Sequence, residues 1–225
     1  FLSSYGRWLE QTEEDDPARA ELVDTIVTAA TVQSERWNGA ADEGFIYSFN
    51  GPQSLFIDIM MNVRLLFWAA ANGADSRVGA RAIEHARTSA RYLVRRAGEG
   101  LGEEDGSVAH EAIFNTEQGR GEFRCLSTQQ GYSPFTCWAR GLAWAIYGYA
   151  YAYGATGDET FLETAHLCAG YYLLNTPGDC VPYWDYGAPG IPDEPRDSSA
   201  AAIAGCGLLL LAEVDSGAPG AGDYL

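Results

Sequence analysis

The strongest candidate for a catalytic side chain is Asp58, which lies among apolar residues in the run SLFIDIMMNVRLLFWAA. A carboxylate in such surroundings is costly if it is ionised and unpaired. The residues alone leave two interpretations open. Asp58 could lie in the first turn of a helix, where the helix dipole stabilises its charge. Alternatively, desolvation could keep the carboxyl group protonated, so that it serves as a general acid near neutral pH.

A second set of candidates lies in the run QGYSPFTCWARGLAWAIYGY, which begins at Gln130. Arg140 precedes Trp144 by four residues, so a helix would place both on one face. An indole offers a flat apolar surface, and a guanidinium binds a carboxylate through two parallel hydrogen bonds. The pair therefore suits a sugar that carries a carboxylate. The alternative is that Trp144 is a core residue and that Arg140 pairs with a neighbouring aspartate.

The three histidines lie in different kinds of sequence. His110 falls in the polar run EEDGSVAHEA and is a candidate site residue, although a loop histidine is more often simply exposed. His85 and His166 fall within helical patterns with a polar face, which predicts positions at or near the surface. The sequence contains no convincing Ser-His-Asp order, glycine-rich phosphate loop or metal-ligand spacing, so no metal or cofactor is predicted.

Two kinds of helical pattern alternate along the chain. The segments with a polar outer face are 17–36, 76–97 and 158–175. The segments that are apolar on most faces, and so must be buried on most sides, are 1–12, 55–72, 137–154 and 198–213. The long loops that lead into the apolar helices are 37–54, 121–136 and 179–197.

This repeated helical hairpin predicts an α/α toroid with apolar helices inside and amphipathic helices outside. We expect an all-α fold, an incomplete ring of about seven helices that is part of a single domain over residues 1–225. The long loops should meet at one end of the ring and form a pocket there. An α-solenoid is the alternative architecture. Strands should be limited to short pieces at 44–49 and 180–186.

Composition and charge exclude several classes of function. Hydrophobic residues make up 47% of the 225 residues, so the chain can bury a core and is not disordered. There are 31 acidic residues against 14 arginines and no lysine, which gives a net charge of −17. A surface this acidic repels polyphosphate and anionic membranes, so neither nucleic acid nor a membrane is an expected partner.

The apolar runs and the cysteines point to a soluble intracellular protein. Charged residues such as Asp58, Arg64 and Arg140 interrupt the strongest apolar runs, so no membrane-spanning segment is expected. The five cysteines are odd in number and lack a metal-binding spacing. Reduced thiols and a cytoplasmic location are therefore predicted.

Four segments, in the same order and spacing, resemble the unsaturated glucuronyl hydrolases of glycoside hydrolase family 88. They are FIDIMMN at 56–62, DGSVAH at 105–110, QQGYSPFTCWARGLAWAIYGYA at 129–150 and PYWDYGAPGIPDEPRDSSAAAIAGCGLLLLA at 182–212. The resemblance extends over essentially the whole chain, and the last two segments are long and specific. It implies an (α/α)6 barrel that removes 4,5-unsaturated glucuronic acid from the non-reducing end of oligosaccharides left by polysaccharide lyases.

The resemblance also implies roles for individual residues. Asp58 falls on the position of the family's general acid/base. The positions of its substrate-contacting residues are occupied by His110, Gln130, Arg140 and Trp144. The family's second essential aspartate lies in a His-Asp-x-Gly-Phe segment, whose last residue matches Phe1. We therefore expect the chain to be an excerpt of a longer protein in which that aspartate precedes Phe1.

Alternatives remain for both the function and the anion site. The unsaturated rhamnogalacturonyl hydrolases share the barrel and the chemistry, and a catalytically silent sugar-binding toroid is a further possibility. Arg196 is the second candidate for the anion site, although it is flanked by Asp193, Glu194 and Asp197. The expected arrangement is a single cavity lined by Asp58, His110, Gln130, Arg140 and Trp144.

Overall fold

The computed structural model of the chain describes residues 2–39, 43–96, 105–116 and 121–216. A π-helix, Leu2–Gly6, comes first, and a 3-10 helix, Ile57–Met61, precedes the third α-helix. The described residues form seven α-helices: α1 (Arg7–Gln11), α2 (Ala18–Glu35), α3 (Val63–Ala71), α4 (Ser76–Leu93), α5 (Ala139–Thr156), α6 (Glu159–Asn175) and α7 (Ser198–Asp215).

The α-helices form two layers, as the predicted α/α toroid requires. In one layer α3, α5 and α7 pack in succession against one another, and in the other α2, α4 and α6 do the same. Consecutive helices also pack across the layers, α2 on α3, α3 on α4 and α5 on α6. The prediction of an all-α hairpin fold is therefore confirmed. The single-domain prediction for residues 1–225 includes positions outside the described residues and stays a prediction.

The outer helices α2, α4 and α6 begin near the predicted residues. The side chains that cap and bury these helices follow the sequence pattern. The carboxylates of Asp75 and Asp158 accept the backbone N–H groups of Arg77 and Thr160, which caps the first turns of α4 and α6. The buried side chains of α6 recur every three or four residues from Phe161, the pattern of an amphipathic helix. The outer-helix predictions agree with the structure, except that α4 ends at Leu93. Residue 97, the predicted end, lies outside the described residues.

The inner helices α5 and α7 differ in how deeply they are buried. Most of α5 is buried, and it ends at Gly157, whose φ of 68° provides a left-handed cap. Only one face of α7 packs on α5 and α6, and Leu209 on another face is 75% exposed. By length and composition α7 could cross a membrane, which the sequence analysis did not expect, but core helices of soluble proteins pass the same test.

The predicted apolar helix 55–72 is wrong in its first half. Ser54–Phe56 is a strand, the 3-10 helix follows it, and α3 begins only at Val63. The backbone N–H of Ile57 donates to the carbonyl of His110 at 3.1 Å, so strand pairing continues past Phe56. Aromatic and β-branched residues favour extended backbone, and here pairing with a distant segment decides the conformation.

Short antiparallel strands complete the fold. Strand β1 (Trp37–Asn38) pairs with β2 (Phe45–Ile46), which lies inside the predicted strand 44–49. A three-stranded sheet has the order β3 (Ser54–Phe56), β4 (Glu111–Asn115) and β5 (Glu122–Ser127). This sheet was not predicted, and β5 occupies part of a segment expected to be a loop. The predicted strand 180–186 is wrong, because it contains only isolated bridges at Tyr183 and Asp185.

Candidate active site

One edge of the three-stranded sheet brings three predicted site residues together. Because the strands are antiparallel, β3 ends, β4 begins and β5 ends at this edge. Asp58 follows β3 by two residues, His110 directly precedes β4, and Gln130 follows β5 by three residues. The sheet therefore places three side chains that are far apart in sequence around one point.

The two carboxylate oxygens of Asp58 have different surroundings. Oδ1 accepts a hydrogen bond from Nε2 of Gln130 at 3.3 Å. Oδ2 lies 3.1 Å from Nε2 of His110, yet the angle is poor, and this buried oxygen has no well-formed hydrogen bond within the described residues. The Asp58 side chain remains 25% exposed. Gln130 thus orients one oxygen, while the other is left without a well-formed hydrogen bond within the described residues.

His110 is buried beneath Asp58, contrary to the expectation that a loop histidine is exposed. Its side chain is only 1% exposed, and its ring centre lies 4.5 Å from that of Phe56 and 5.2 Å from that of Trp138. Nδ1 accepts the backbone N–H of Gln129 at 2.9 Å. A neutral imidazole held in this way carries its proton on Nε2, the nitrogen that faces Asp58.

Sequence reasoning missed a second buried carboxylate, that of Glu111. It accepts hydrogen bonds from Ser54 Oγ at 2.5 Å, Asn50 Nδ2 at 3.2 Å and Gln129 Nε2 at 3.4 Å. Gln129 in turn donates its backbone N–H to His110, so Glu111 helps to hold the residue that orients the imidazole. The signal in the sequence was a charged residue directly beside His110 in AHEA.

Arg140 is paired with an aspartate, the alternative that the sequence left open. Its Nε and Nη2 donate to Oδ2 of Asp197 at 3.1 and 2.9 Å, and its guanidinium lies 5.5 Å from the ring centre of Trp138. Asp197 is buried and also caps α7 by accepting the N–H of Ala200. The Arg140 side chain is still 40% exposed, so a second anion could reach it.

Trp144 borders a cavity of about 710 Å³ on the inner face of the helical layers. Arg64, Tyr147 and Tyr151 line the same cavity, and Arg64 Nη1 donates to the Tyr147 hydroxyl at 2.7 Å. Asp58, His110 and Gln130 form a separate group of contacts. Trp138 links this group to Arg140, because it packs edge-on against His110 and its ring centre lies 5.5 Å from the guanidinium. Within the described residues no hydrogen bond or ring contact links the group to Trp144. The prediction that one cavity holds all five residues therefore stays a prediction.

Arg196 pairs with a residue outside the acidic residues that flank it in the sequence. It donates to the carboxylate of Asp179 and to the carbonyl of Val181, and its guanidinium lies 4.8 Å from the ring centre of Tyr183. Arg196 therefore forms its ion pair with Asp179, and within the described residues it forms none with the flanking Asp193, Glu194 or Asp197. As an anion-binding residue Arg196 remains a weaker candidate than Arg140.

The surface prediction is wrong for His85 and confirmed for His166. His85 is fully buried, its Nδ1 accepts the backbone N–H of Ile46 at 3.1 Å, and Nε2 lies 3.3 Å from Ser89 Oγ. Burial lowers the pKa of His85 to about 3, so the imidazole is neutral. His85 joins α4 to β2 and makes no hydrogen bond to Asp58 within the described residues. His166 is half exposed, 3.4 Å from Asp215.

The described residues hold no cluster of three or more His, Cys, Asp or Glu side chains that could bind a metal ion. All five cysteines are free, and burial raises the pKa of the Cys137 thiol to about 12. The prediction of a reaction without metal or cofactor stays a prediction.

Comparison with known proteins gives relatives of one kind, although no family model matches the chain. The unsaturated glucuronyl hydrolase of Bacillus sp. strain GL1 is 37% identical over 221 residues, which cover 94% of this chain and 53% of that protein. The unsaturated chondroitin disaccharide hydrolase of Streptococcus pneumoniae is 37% identical over 166 residues, 72% of this chain and 39% of that protein. A solved unsaturated glucuronyl hydrolase variant with dGlcA-Glc-Rha-Glc aligns with a TM-score of 0.78 at 33% identity, over 100% of this chain and 56% of that one.

The chain spans about half the length of the curated relatives it matches. The aligned region covers nearly all of this chain, and so it includes the four motifs and the helical hairpins. The superposition also confirms the α/α toroid. The chain therefore belongs to the unsaturated glucuronyl hydrolase family, as its resemblance to glycoside hydrolase family 88 predicted.

Proposed function

We propose that this protein removes 4,5-unsaturated glucuronic acid from the non-reducing end of oligosaccharides, with Asp58 as the general acid/base. The observation that carries the proposal is the state of Asp58 Oδ2, a buried oxygen 3.1 Å from His110 Nε2 without a well-formed hydrogen bond within the described residues. An oxygen in this position is able to carry a proton and deliver it to a substrate beside the sheet edge.

The chemistry explains how one carboxyl group can suffice. The C4=C5 bond of the unsaturated uronate is a vinyl ether conjugated to a carboxylate. Asp58 gives its proton to C4, and the positive charge that develops at C5 is shared with the ring oxygen. Water then adds at C5 and returns a proton to Asp58. The resulting hemiketal opens and the second sugar leaves, so the carboxylate separations of ordinary glycosidases do not apply.

The neighbours of Asp58 have separate tasks in this reaction. Gln130 holds Oδ1 through its amide, which fixes the direction in which Oδ2 points. His110 presents an N–H to the carboxylate that remains after proton transfer, and its own position is fixed by Gln129. Both residues fix the position of the carboxyl group, so Oδ2 keeps one orientation while the proton leaves and returns.

Arg140 is the proposed partner of the substrate carboxylate. In a chain with a net charge of −17 and no lysine, an anion site must be built from arginine, histidine and N–H donors. Arg140 binds Asp197 through Nε and Nη2, and within the described residues Nη1 makes no hydrogen bond. We place the uronate carboxylate at this nitrogen and its sugar ring near Trp144.

The names of the relatives suggest which oligosaccharides to test. One relative is named for an unsaturated chondroitin disaccharide, and one solved structure contains dGlcA-Glc-Rha-Glc. Both ligands share an unsaturated glucuronic acid at the non-reducing end and differ in the sugar that follows. The shared sugar is therefore the proposed recognition element, and the aglycone is left open.

The test is turnover by the full-length protein, followed as loss of the ultraviolet absorbance of the conjugated uronate. The substrates are an unsaturated chondroitin disaccharide, dGlcA-Glc-Rha-Glc and an unsaturated rhamnogalacturonan disaccharide. The matched control is the saturated chondroitin disaccharide, which has no double bond to protonate and should not be cleaved when the released sugars are followed by chromatography. Turnover of the rhamnogalacturonan substrate alone would favour the alternative enzyme, and binding without turnover would favour a silent sugar-binding protein.

We also propose a cytoplasmic location. It is supported by five free thiols, the state that a reducing compartment maintains. Fractionation of the source cells, with detection of the protein by antibody, tests this proposal. Recovery from the culture medium or an envelope fraction would contradict it.

A further inference from the structure

Asp185 is a fully buried carboxylate in a loop that the catalytic proposal does not use. Its Oδ2 accepts the backbone N–H of Tyr132 at 2.9 Å and lies 2.9 Å from the hydroxyl of Thr136. Its Oδ1 accepts the backbone N–H of Gly187 at 2.8 Å. Two of these three donors belong to the segment that follows Gln130.

The burial of this charge requires an explanation. Removing a carboxylate from water is costly, and no arginine or histidine within the described residues lies at ion-pair distance from Asp185. Its compensation comes from hydrogen-bond donors of Tyr132, Thr136 and Gly187, which bind a charged acceptor more strongly than a neutral one. The charge therefore acts as a strong acceptor that joins two loops.

The loop that Asp185 holds carries the contacts of the candidate site. Gln130 Nε2 donates to Asp58 Oδ1 at 3.3 Å, and the N–H of Gln129 donates to His110 at 2.9 Å. The intervening Gly131 packs tightly, since a Cβ there would lie 3.2 Å from Asp185 Oδ2. Movement of Tyr132 away from Asp185 would therefore move Gln130 with it.

The segment around Asp185 also fixes the start of α5. The N–H of Ala139 donates to the carbonyl of Trp184 at 3.0 Å, and the N–H of Tyr186 donates to the carbonyl of Cys137 at 2.9 Å. Trp138, between those two residues, packs edge-on against His110. The segment containing Asp185 thus contacts the site from two sides, through the Gln130 loop and through Trp138.

We propose that Asp185 is a positioning residue, which acts on Asp58 by holding the loop that carries Gln130. The proposal rests on the proposed function for its kinetic consequence, while the contact between the loops does not depend on it. Within the described residues the Asp185 carboxylate makes no hydrogen bond or ion pair with Asp58. The contacts on the Trp138 side are made by the backbones of Trp184 and Tyr186, so the effect of the Asp185 carboxylate on the rate passes through the loop that carries Gln130.

The kinetic experiment is a double-mutant cycle in the full-length protein with Asp185→Asn and Gln130→Ala. An asparagine can keep one acceptor oxygen, but its amide donates where the carboxylate accepted, so at least one loop contact is lost. We expect Asp185→Asn to lower kcat roughly 10- to 100-fold, as small misplacements of catalytic groups do. In the Gln130→Ala background the same change should lower kcat by less than about threefold, because the two residues act as a unit.

Glu194→Gln is the matched control. Glu194 lies in the same loop and accepts hydrogen bonds from Trp184 Nε1 at 2.9 Å and from Gly190 N–H at 3.0 Å. It makes no hydrogen bond to the Gln130 segment within the described residues. Its replacement should leave kcat within about twofold of wild type if general loosening of the loop has no effect. Equal losses of kcat from Asp185→Asn in both backgrounds would overturn the proposal.

Hydrogen exchange followed by mass spectrometry tests the contact without any substrate. In Asp185→Asn the amides of residues 128–136 should exchange at least about tenfold faster, while those of α6 keep their wild-type rates. Unchanged exchange at residues 128–136 would overturn the proposal even if activity falls. A wild-type protein without turnover would contradict the proposed function and leave this exchange result to decide the role of Asp185 in the loop.

Discussion

At the scale of single residues, the candidate site depends on the different surroundings of the two carboxylate oxygens of Asp58. Gln130 binds Oδ1, whereas Oδ2 faces the imidazole of His110 at an unfavourable angle. The imidazole itself is locked by a backbone N–H and by two aromatic neighbours. The Asp58 carboxyl group therefore lies in a rigid setting, as the proposed proton transfer requires.

Replacement of Asp58 by Asn should keep the fold and lower the turnover rate by about 10²- to 10⁴-fold, which is the contribution of a general acid. The amide has nearly the same shape but cannot deliver a proton. Initial rates of absorbance loss on an unsaturated disaccharide measure the effect, and thermal unfolding checks the fold. Asp24→Asn, at an exposed position on α2, is the matched control. A near-wild-type rate in Asp58→Asn would end the assignment.

Arg140→Lys tests the anion site. Lysine keeps the positive charge but cannot hold Asp197 with two donors and present a third in the same plane. The KM for an unsaturated disaccharide should rise roughly tenfold, equivalent to about 1.4 kcal/mol of binding, with a smaller change in kcat. Arg87→Lys on α4, where the arginine pairs with Asp158, serves as the control. If the two variants have the same KM, the anion site lies elsewhere.

At the scale of elements, the three-stranded sheet assembles the site and the helices support it. The helices could be predicted from sequence because their hydrogen bonds are local and their buried residues recur with helical period, as in α6. The sheet could not, since Phe56 pairs with Glu111, which is distant in the sequence, and a register shift at Ile113 breaks the alternation of β4. The grouping of Asp58, His110 and Gln130 was accessible only through the family resemblance.

The buried histidine illustrates the same limit. His85 lies on a helix whose sequence shows a polar face, and nothing local indicates that β2 covers it. The pairing of Arg140 with Asp197 is likewise non-local, because it joins the starts of two helices. Such contacts depend on how the layers meet, which the pattern of one helix does not determine.

The connection between β2 and α4 should make stability depend on pH. Burial lowers the pKa of His85 to about 3 from its ordinary value of 6.5, so the unfolded chain binds the proton first. The stabilisation is therefore complete above pH 6.5 and is lost as the pH falls from 6.5 towards 3. Between pH 8 and pH 5 this loss amounts to about 2 kcal/mol of unfolding free energy.

Urea unfolding of wild type and His85→Asn at pH 8 and pH 5 measures this effect. Asparagine keeps an acceptor for the N–H of Ile46 but does not titrate. The variant should be less stable at pH 8, because a smaller side chain leaves space in the core, and its stability should change less on acidification. His166→Asn, at a half-exposed position, is the control. The same pH 8 to pH 5 difference in His85→Asn as in wild type would refute the role of His85.

At the scale of the whole molecule, the dominant feature is a net charge of −17 produced by 31 acidic residues and 14 arginines. Several arginines are used in local contacts, with Asp158, Asp179 and Asp197 for example. The acidic residues that have no basic partner outnumber these pairs, and they repel one another. Exposed pairs contribute little to stability, whereas the sum of like charges opposes the compact state.

Salt should therefore stabilise this protein. Raising NaCl from about 10 mM to about 300 mM shortens the Debye length from roughly 30 Å to less than 8 Å and screens the repulsion between distant acidic groups. We expect the Tm to rise by about 2–4 °C, the change that 1 kcal/mol produces in a chain of this size. Thermal unfolding in NaCl, followed by circular dichroism, measures the rise.

The matched variant removes three charges from the exposed acidic run before α2. Glu13→Gln, Glu14→Gln and Asp15→Asn reduce the net charge from −17 to −14 and leave Asp16, which accepts the N–H of Ala18, in place. If self-repulsion is the cause, the triple variant has a higher Tm at low salt and a smaller rise on adding salt. A Tm that falls with salt in wild type would mean that attractive pairs, rather than the excess of acidic residues, govern the electrostatics of the fold.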